Sequence, residues 1–457
     1  MSNDPTIAHP VIFPDLFDRP LVATFDQPHA SSDGGAVLLK AVDRKLALTR
    51  RLAGTLADPR APARVTHTIA DLVAQRIFGL ACGYADGNDA DRLAEDPIQK
   101  LLLDRDPIGG QALASQPTLS RFENAVGPRA LYQMGRELAA TVIDRHRQRL
   151  AGRARRITID LDVTDDPTHG AQQLSFFHGH YDTWCYLPLL AFVTFNHEAD
   201  AYLCAAVLRP GNAASAAGAE GVLRAIYTLI RSAFPHTTVR VRLDGGFATP
   251  ALLDYLDLIG VEYVVAMAEN AVLARRAAAQ MVDVRAVVAA SGTTTHTYGD
   301  TIYAAKSWAH DRRVIIKAEV VALEGRAPRD NARFVITNLT QTPQWIYETV
   351  YCQRGEIENR IKELHHGLEI DRTSCTRFWA NQFRVLLTAA AYVLLQELRR
   401  HAARTVYARA QVSTLRERLL KIGVHVVASV RRFVLHLPQA YPDADAWHAI
   451  ARRLGAT

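Results

Sequence analysis

Residues 157–164 alternate strictly, with Ile157, Ile159, Leu161 and Val163 interleaved with Thr158, Asp160, Asp162 and Thr164. A period of two marks a strand with one apolar and one polar face. Such a strand must bury one side and present both carboxylates on the other. The pattern returns at 239–244, where Val239, Val241 and Leu243 alternate with Arg240, Arg242 and Asp244. Gly245-Gly246 permits a sharp turn after Asp244. Thr249-Pro250 then supplies a helix cap followed by proline in the first turn.

Between these segments lie strand-like runs at Tyr186–Phe195 and Ala201–Leu208 and a helical pattern from about Ala213 to Phe234. Three strands, a helix, a strand and a helix make the first half of a ribonuclease-H-like α/β fold. Upstream, Ile69, Leu72, Val73, Ile77 and Leu80 recur at helical spacing after Thr66 and Thr68, which predicts a capped amphipathic helix. The stretch Ser115–Glu123 (SQPTLSRFE) places a turn and a cap before Leu119, Phe122 and a long helix through about Arg149. It suits a helix-turn-helix in which Thr118, Ser120 and Arg121 reach DNA, or equally a plain helical bundle. Residues 261–345 read as strand-rich. The chain is helical again from Pro343 to about Gly367 and over about Asn381–Arg400, with a mostly helical tail beyond.

Composition narrows the class. With 49% apolar and 22% charged residues, the chain is neither disordered nor fibrous. The apolar runs Tyr186–Phe195 and Val385–Leu395 fall short of the roughly 18 residues of a membrane span, so no membrane partner is expected. The N-terminus lacks a basic segment followed by an apolar run, as an export signal would have. Five cysteines, none in a C-x-x-C pair, fit a reducing cytoplasm. From Asp371 onward, Lys and Arg outnumber Asp and Glu 14 to 5, a larger surplus than the +6 of the whole chain. Nearly all of it is arginine, which suits a phosphate-tracking surface or a solvated helical tail.

The helix after Pro343 carries the densest chemistry. Tyr351, Arg354, Glu358, Lys362 and His365 are spaced by 3, 4, 4 and 3, which puts them on one face. Ile357, Ile361, Leu364 and Leu368 form a separate apolar stripe, while Glu356 and Glu363 read as solvated charges. Alone, such a helix could be a surface helix with ion pairs at i,i+4. Its glutamate is, however, the third carboxylate after those of the two strands. Magnesium takes hard oxygen ligands. Two such ions about 3.5–4 Å apart can activate an attacking oxygen and stabilise a leaving one on a phosphodiester. His178 and His180 would share a strand face but have no third ligand nearby, so zinc is not expected. No G-x-x-x-x-G-K-[ST] loop points to ATP.

The segments DLDVTDDPTHG, RLDGGF and YCQRGEIENRIKELHHGLEIDR resemble the three catalytic blocks of DDE-type bacterial insertion-sequence transposases. The group in question has a third block reading Tyr, two residues, Arg, three residues, Glu, six residues, Lys. Tyr351, Arg354 and Glu358 match it. The lysine position is His365, with Lys362 one turn earlier. The resemblance runs from about residue 20 to the C-terminus. It implies a ribonuclease-H-like α/β catalytic core with a β-rich insertion, preceded by a mostly helical domain and followed by a helical basic region.

The expected boundaries are an extended arm over 1–30, a helical DNA-binding or dimerisation domain over 31–152, and the first part of the core over 153–260. The insertion follows over 261–345, then the core's catalytic helix and its successor over 346–400, and the basic C-terminal region over 401–457.

The resemblance further implies a transposase that moves its element by cut-and-paste, through metal-dependent hydrolysis and strand transfer at terminal inverted repeats. Asp162, Asp244 and Glu358 would be the catalytic metal ligands for two Mg²⁺ or Mn²⁺ ions per site. Asp160 stays open as the alternative first ligand, although the group's Thr or Ser two residues after the aspartate matches Asp162 and Thr164. Tyr351, Arg354, Lys362, His365 and Arg121 would contact DNA and phosphate. Trp308 would stack an extruded base or be a core residue. Double-stranded DNA bearing inverted repeats, target DNA and a second protomer would be the partners, in the bacterial cytoplasm at the nucleoid. The rival functions are a non-catalytic DNA-binding regulator derived from a transposase and a stand-alone metal nuclease of the same fold.

Overall fold

The computed structural model describes residues 10–457. Its centre is a nine-stranded mixed sheet. Strands β1 (Arg156–Val163), β2 (Leu189–Phe195) and β3 (Tyr202–Val207) form an antiparallel meander. Helix α4 (Ala219–Ala233) crosses over to β4 (Thr238–Leu243), which runs parallel to β1, and helix α5 (Pro250–Leu258) leads to β5 (Glu262–Met267), parallel to β4. The spatial order β3-β2-β1-β4-β5 is the ribonuclease-H-like arrangement expected from the strand pattern. The apolar side of the alternation is inside: Ile157, Ile159, Leu161, Val239, Val241 and Leu243 are all buried.

Beyond β5 the sheet continues rather than ending. Strand β6 (Thr295–Tyr303), β7 (Arg312–Val321), the short β8 (Arg329–Asp330) and β9 (Arg333–Thr337) follow, and β9 returns antiparallel beside β5. Two features of the region read as strand-rich over 261–345 are therefore corrected. Its first segment, β5, is the core's fifth strand, and residues between it and β6 form helix α6 (Ala271–Ser291). Asn270 caps that helix by accepting from the amides of Val272 and Leu273, and Gly292 ends it in the left-handed conformation.

Among the upstream helices, α1 (Ile69–Ala81) begins with a reciprocal capping box between Thr68 and Asp71. The single long helix expected from Leu119 to Arg149 is two helices, α2 (Gln116–Ala125) and α3 (Pro128–Arg149). Pro128 lacks the amide that a continuous helix would need, and it serves as the first residue of α3 instead. Of the arm expected over 1–30, residues 1–9 lie outside the described residues. Val11–Phe13 and Leu21–Ala23 pair as exposed strands.

Helix α8 (Phe378–His401) is long and apolar enough to cross a membrane, but it is buried inside the fold. Its polar side chains finish the edge of the sheet. Gln382 accepts from the Leu208 amide (2.6 Å) and donates to Ala206 O (3.1 Å). Gln396 accepts from the Leu203 amide (3.1 Å) and donates to Ala201 O (2.7 Å). Two glutamines thus satisfy backbone groups that β3, as an edge strand, would otherwise leave open. The C-terminal region expected to be helical also holds a hairpin, Val424–Ser429 with Arg432–His436, which pairs with Ala30–Ser31. The arginine excess counted from Asp371 is not all on the surface, since Arg384 and Arg399 of α8 are buried in internal ion pairs and hydrogen bonds.

Candidate active site

The register of β1 and β4 builds the site. Arg242 stands opposite Asp160 in this parallel pair, so Asp244 and Asp162, each two residues further, emerge side by side on the same face. Asp160 is fully buried. Arg242 donates to it twice, Nε to Oδ1 at 2.7 Å and Nη2 to Oδ2 at 2.8 Å, and its Nη1 donates to Val350 O at 3.1 Å. Both oxygens of Asp160 are therefore engaged. Asp162 sits nearer the strand's end, where its Oδ1 accepts from the Val163 amide at 2.9 Å.

Asp244 caps the turn that follows β4, its Oδ1 accepting from Gly246 N at 2.8 Å. Gly246 has no left-handed backbone here. Its reason is space, since a Cβ would lie 2.7 Å from the Ser215 side chain and 3.2 Å from Asp244 Oδ1.

Arg354 joins the two carboxylates. Its Nη2 lies 2.8 Å from Asp162 Oδ1 and 3.6 Å from Asp244 Oδ2. Its Nε is buried without a hydrogen-bond acceptor. Burial pushes the Asp162 carboxyl up to about 6 against the pull of Arg354, and the neighbouring Asp244 charge adds to the rise. For Arg354, burial works against the charge, but Asp162 and Asp244 outweigh it and hold the guanidinium above its ordinary value. Two hard carboxylates on one face are donors that a divalent cation takes, and here the Arg354 guanidinium holds the positive charge between them.

The segment expected to be one regular helix starts as an α turn at Pro343–Trp345 and changes its winding four times. A π turn at Ile346–Tyr351 and a 3₁₀ turn at Cys352–Arg354 precede α7 (Gly355–Lys362), and a second π turn closes it at Glu363–Gly367. Such irregularities shift the angular phase of all that follows, so the five polar residues do not share one environment. Arg354 reaches the strand carboxylates. Glu358 and Lys362 are exposed and form no ion pair or side-chain hydrogen bond among the described residues. The apolar stripe packs as expected, with Ile357, Leu364 and Leu368 buried.

His365, at the lysine position, is held at both ring nitrogens: Nε2 lies 2.9 Å from Thr164 Oγ1 and Nδ1 3.1 Å from Asp371 Oδ2. Tyr351 is half-buried against Tyr347, with ring centroids 5.5 Å apart, and burial raises its hydroxyl's pKa. Glu363, read as a solvated charge, is buried. It accepts from Arg360 Nη1 (2.8 Å), Arg399 Nη1 (2.7 Å) and Tyr392 Oη (2.7 Å), which fastens the end of α7 to α8.

The remaining candidates lie elsewhere. Arg121 is exposed on α2, its Nη2 3.3 Å from Thr118 Oγ1, along a groove it shares with Arg60 and Arg64. Trp308 packs edge-on against Tyr303 (5.3 Å) and under the Arg312 guanidinium (5.1 Å). Arg312 in turn donates to Asp254 (2.6 Å) and Asp257 (2.7 Å). Those two aspartates and His310 are the one group of three or more metal-ligating side chains that lie close together among the described residues, and Arg312 offsets part of its negative charge.

Two residues, and the role of Thr164 as an anchor, escaped the sequence reading. Thr164 anchors His365, and Arg242 occupies Asp160. Tyr181 sits in the loop between Phe176–His178 and Thr183–Tyr186, where burial raises its pKa and the charges of Asp165, Asp162 and Asp244 add to it. The aromatic run FFHGHYDTWCY between the first two core strands was the available signal for Tyr181.

The model of the family described as transposase DDE domain group 1 matches residues 13–457. Among solved structures, a piggyBac transposase synaptic complex with hairpin DNA aligns over 92% of this chain and 82% of its own, at 9% identity and a TM-score of 0.40. No curated protein matches the chain.

Proposed function

The chain belongs to the transposase DDE domain group 1 family, and from that premise we propose that it moves an insertion sequence by cut-and-paste at terminal inverted repeats. The observation that carries the reading is Arg354 bridging Asp162 and Asp244. It brings an anion-binding guanidinium and two carboxylates from separate strands to one point.

Asp162 and Asp244, with Glu358 as the third carboxylate, would hold Mg²⁺ or Mn²⁺, two ions per site. Bound there, the ions supply activation of the attacking oxygen and stabilisation of the leaving one. Asp162 is the first ligand in this reading, because both oxygens of Asp160 are occupied by Arg242. The Asp160–Arg242 pair fixes β1 against β4, and the Arg242 bond to Val350 O fixes both against the helical segment that carries Arg354.

Arg354 grips the scissile phosphate. Its guanidinium offers a planar pair of donors and spreads positive charge over the oxygens that gain charge in the transition state. His365, held on Thr164, keeps the end of the segment beside β1. Tyr351 and Lys362 complete the phosphate contacts. Arg121 tracks the DNA backbone farther out, where each neutralised phosphate adds salt-dependent affinity.

The partners are double-stranded DNA ending in inverted repeats, target DNA and a second copy of the chain. Hydrolysis frees a 3′-hydroxyl at each end. That hydroxyl then attacks a phosphodiester of the target, forming one P–O bond as another breaks.

The rival readings, a non-catalytic DNA-binding regulator and a stand-alone metal nuclease, give different products. A single experiment separates the readings: incubate the protein with a DNA bearing its flanking repeats, a target plasmid and Mg²⁺. A transposase nicks at the repeat ends and joins them to the plasmid. A regulator binds the ends without cutting, and a nuclease cuts without end specificity or joining.

A further inference from the structure

On the sheet face that carries the acidic site, but toward the opposite end of β1, lies a second cavity of about 440 Å³. That size falls within the range of small-molecule pockets. Its walls are the start of β1, the β2–β3 turn, β4, one side of α7, and the segment after α8. Six arginines line it: Arg156, Arg240, Arg242, Arg360, Arg399 and Arg409.

Three carboxylates line it as well: Glu198, which pairs with Arg149, Glu356, which is exposed and forms no ion pair with the arginines, and Asp200. Asp160 is taken by Arg242, Glu262 by Arg240, and Glu363 by Arg360 and Arg399. Asp200 Oδ1 lies 3.4 Å from Arg399 Nη2 and 3.8 Å from Arg360 Nη1 without a hydrogen bond to either. Arg156 Nε, Arg360 Nε, and both Nε and Nη2 of Arg399 are buried with no acceptor. The Arg399 side chain is only 1% exposed. Buried guanidinium donors without acceptors are costly, and several around one cavity make a receptor for an oxygen-rich anion. Burial lowers the pKa of Arg240, and Arg156 and Arg242 beside it lower it further, so positive charge is crowded here.

We propose that this cavity is a phosphate-binding site, distinct from the acidic site on the other side of α7, which takes a phosphate group from a nucleotide-sized anion or from the DNA backbone. Phosphate matches the donor geometry because a guanidinium binds it through two parallel hydrogen bonds. Since α7 forms one wall, an anion held between Arg360 and Arg399 clamps the helix that carries Glu358 against α8. This inference rests on the arginine cluster and not on the transposase reading.

The test is calorimetric titration of the full-length protein with inorganic pyrophosphate. One site per chain is expected. Arg409→Gln, an exposed position, and Arg360→Gln should each weaken binding about tenfold, the loss of one charge-assisted contact. Arg224→Gln, exposed on α4 and away from both sites, should leave it unchanged. Absence of binding, which would mean that the cavity holds water only, overturns the proposal. So does binding that is insensitive to both cavity variants, or binding that Arg224→Gln weakens as much. Repeating the titration with duplex DNA bound separates the sources. Displacement of pyrophosphate assigns the site to the DNA backbone, and simultaneous binding assigns it to a free anion. No arm requires cleavage, so a protein inactive in nicking that still binds pyrophosphate fails only the catalytic reading.

Discussion

Arg242 holds both carboxylate oxygens of Asp160, at 2.7 and 2.8 Å, across the parallel strands β4 and β1. The pair is buried, so Arg242 engages each oxygen of Asp160 and neutralises its charge, which gives the pair structural work.

That separates the two aspartates of the first strand. Asp162→Asn is expected to reduce nicking of an end-bearing DNA to background while leaving the unfolding midpoint nearly unchanged. Asp160→Asn leaves a buried arginine half-paired and should cost about 3–5 kcal/mol of stability. It should retain measurable nicking below its unfolding midpoint. Urea unfolding and a nicking assay on both variants check this, and the opposite assignment exchanges their roles.

Metal dependence follows from the ligand chemistry. Cleavage should require Mg²⁺ or Mn²⁺ and stop on chelation. Asp244→Asn or Glu358→Gln should abolish it, because neutral amides are weak ligands for hard cations. DNA binding measured by gel shift should largely survive, since in this reading Arg354 and Arg121, which are unaltered, carry phosphate contacts. Full cleavage by Glu358→Gln would remove that exposed residue from the site.

Arg354→Ala should slow cleavage by about 100- to 1000-fold, the scale of losing one charge-stabilising donor. Affinity for the DNA end and its salt dependence should change little. A loss confined to affinity would make Arg354 a backbone-tracking contact instead. The substitution also removes the cation between Asp162 and Asp244, so the two carboxylates should then repel each other more strongly.

Much of this was legible in local pattern. The alternation at 157–164 and 239–244 named the strands, their apolar sides and the carboxylates, although most of the polar side is buried as well. The distinction between Asp160 and Asp162 was not local, because it depends on which residue of β4 faces which residue of β1. The separate environments of Arg354 and Glu358 were hidden for another reason. π and 3₁₀ turns are set by tertiary packing, and the side-chain spacing of 351–365 assumes uniform winding. Glu363 looked solvated because its partners Arg399 and Tyr392 come from a helix some 30 residues later. The signals for α6 were present, in its alanine-rich stretch between Asn270 and Gly292, and strand-like neighbours obscured them.

The last prediction concerns Glu397, buried on α8. It accepts from Arg145 Nε (2.8 Å), from Arg400 Nε (2.9 Å) and Nη2 (2.7 Å), and lies 3.1 Å from His401 Nε2. Burial alone would raise its pKa, but Arg400, His401 and Arg145 outweigh burial and hold it well below the usual carboxylate range. In the unfolded chain a glutamate titrates near about 4.3. The folded value is the lower one, so the stability from this residue is fully present above about pH 4.3 and is lost as pH falls toward the folded value. Glu397→Gln should therefore be destabilised near neutral pH by about 1.5–3 kcal/mol, because the partly buried Arg145 and Arg400 lose their shared charged partner. Its stability should also decline less than that of the unaltered protein between neutral pH and about pH 3. Urea titrations at both pH values measure the two slopes, and equal declines would show that Glu397 is not what ties α8 to α3 through charge.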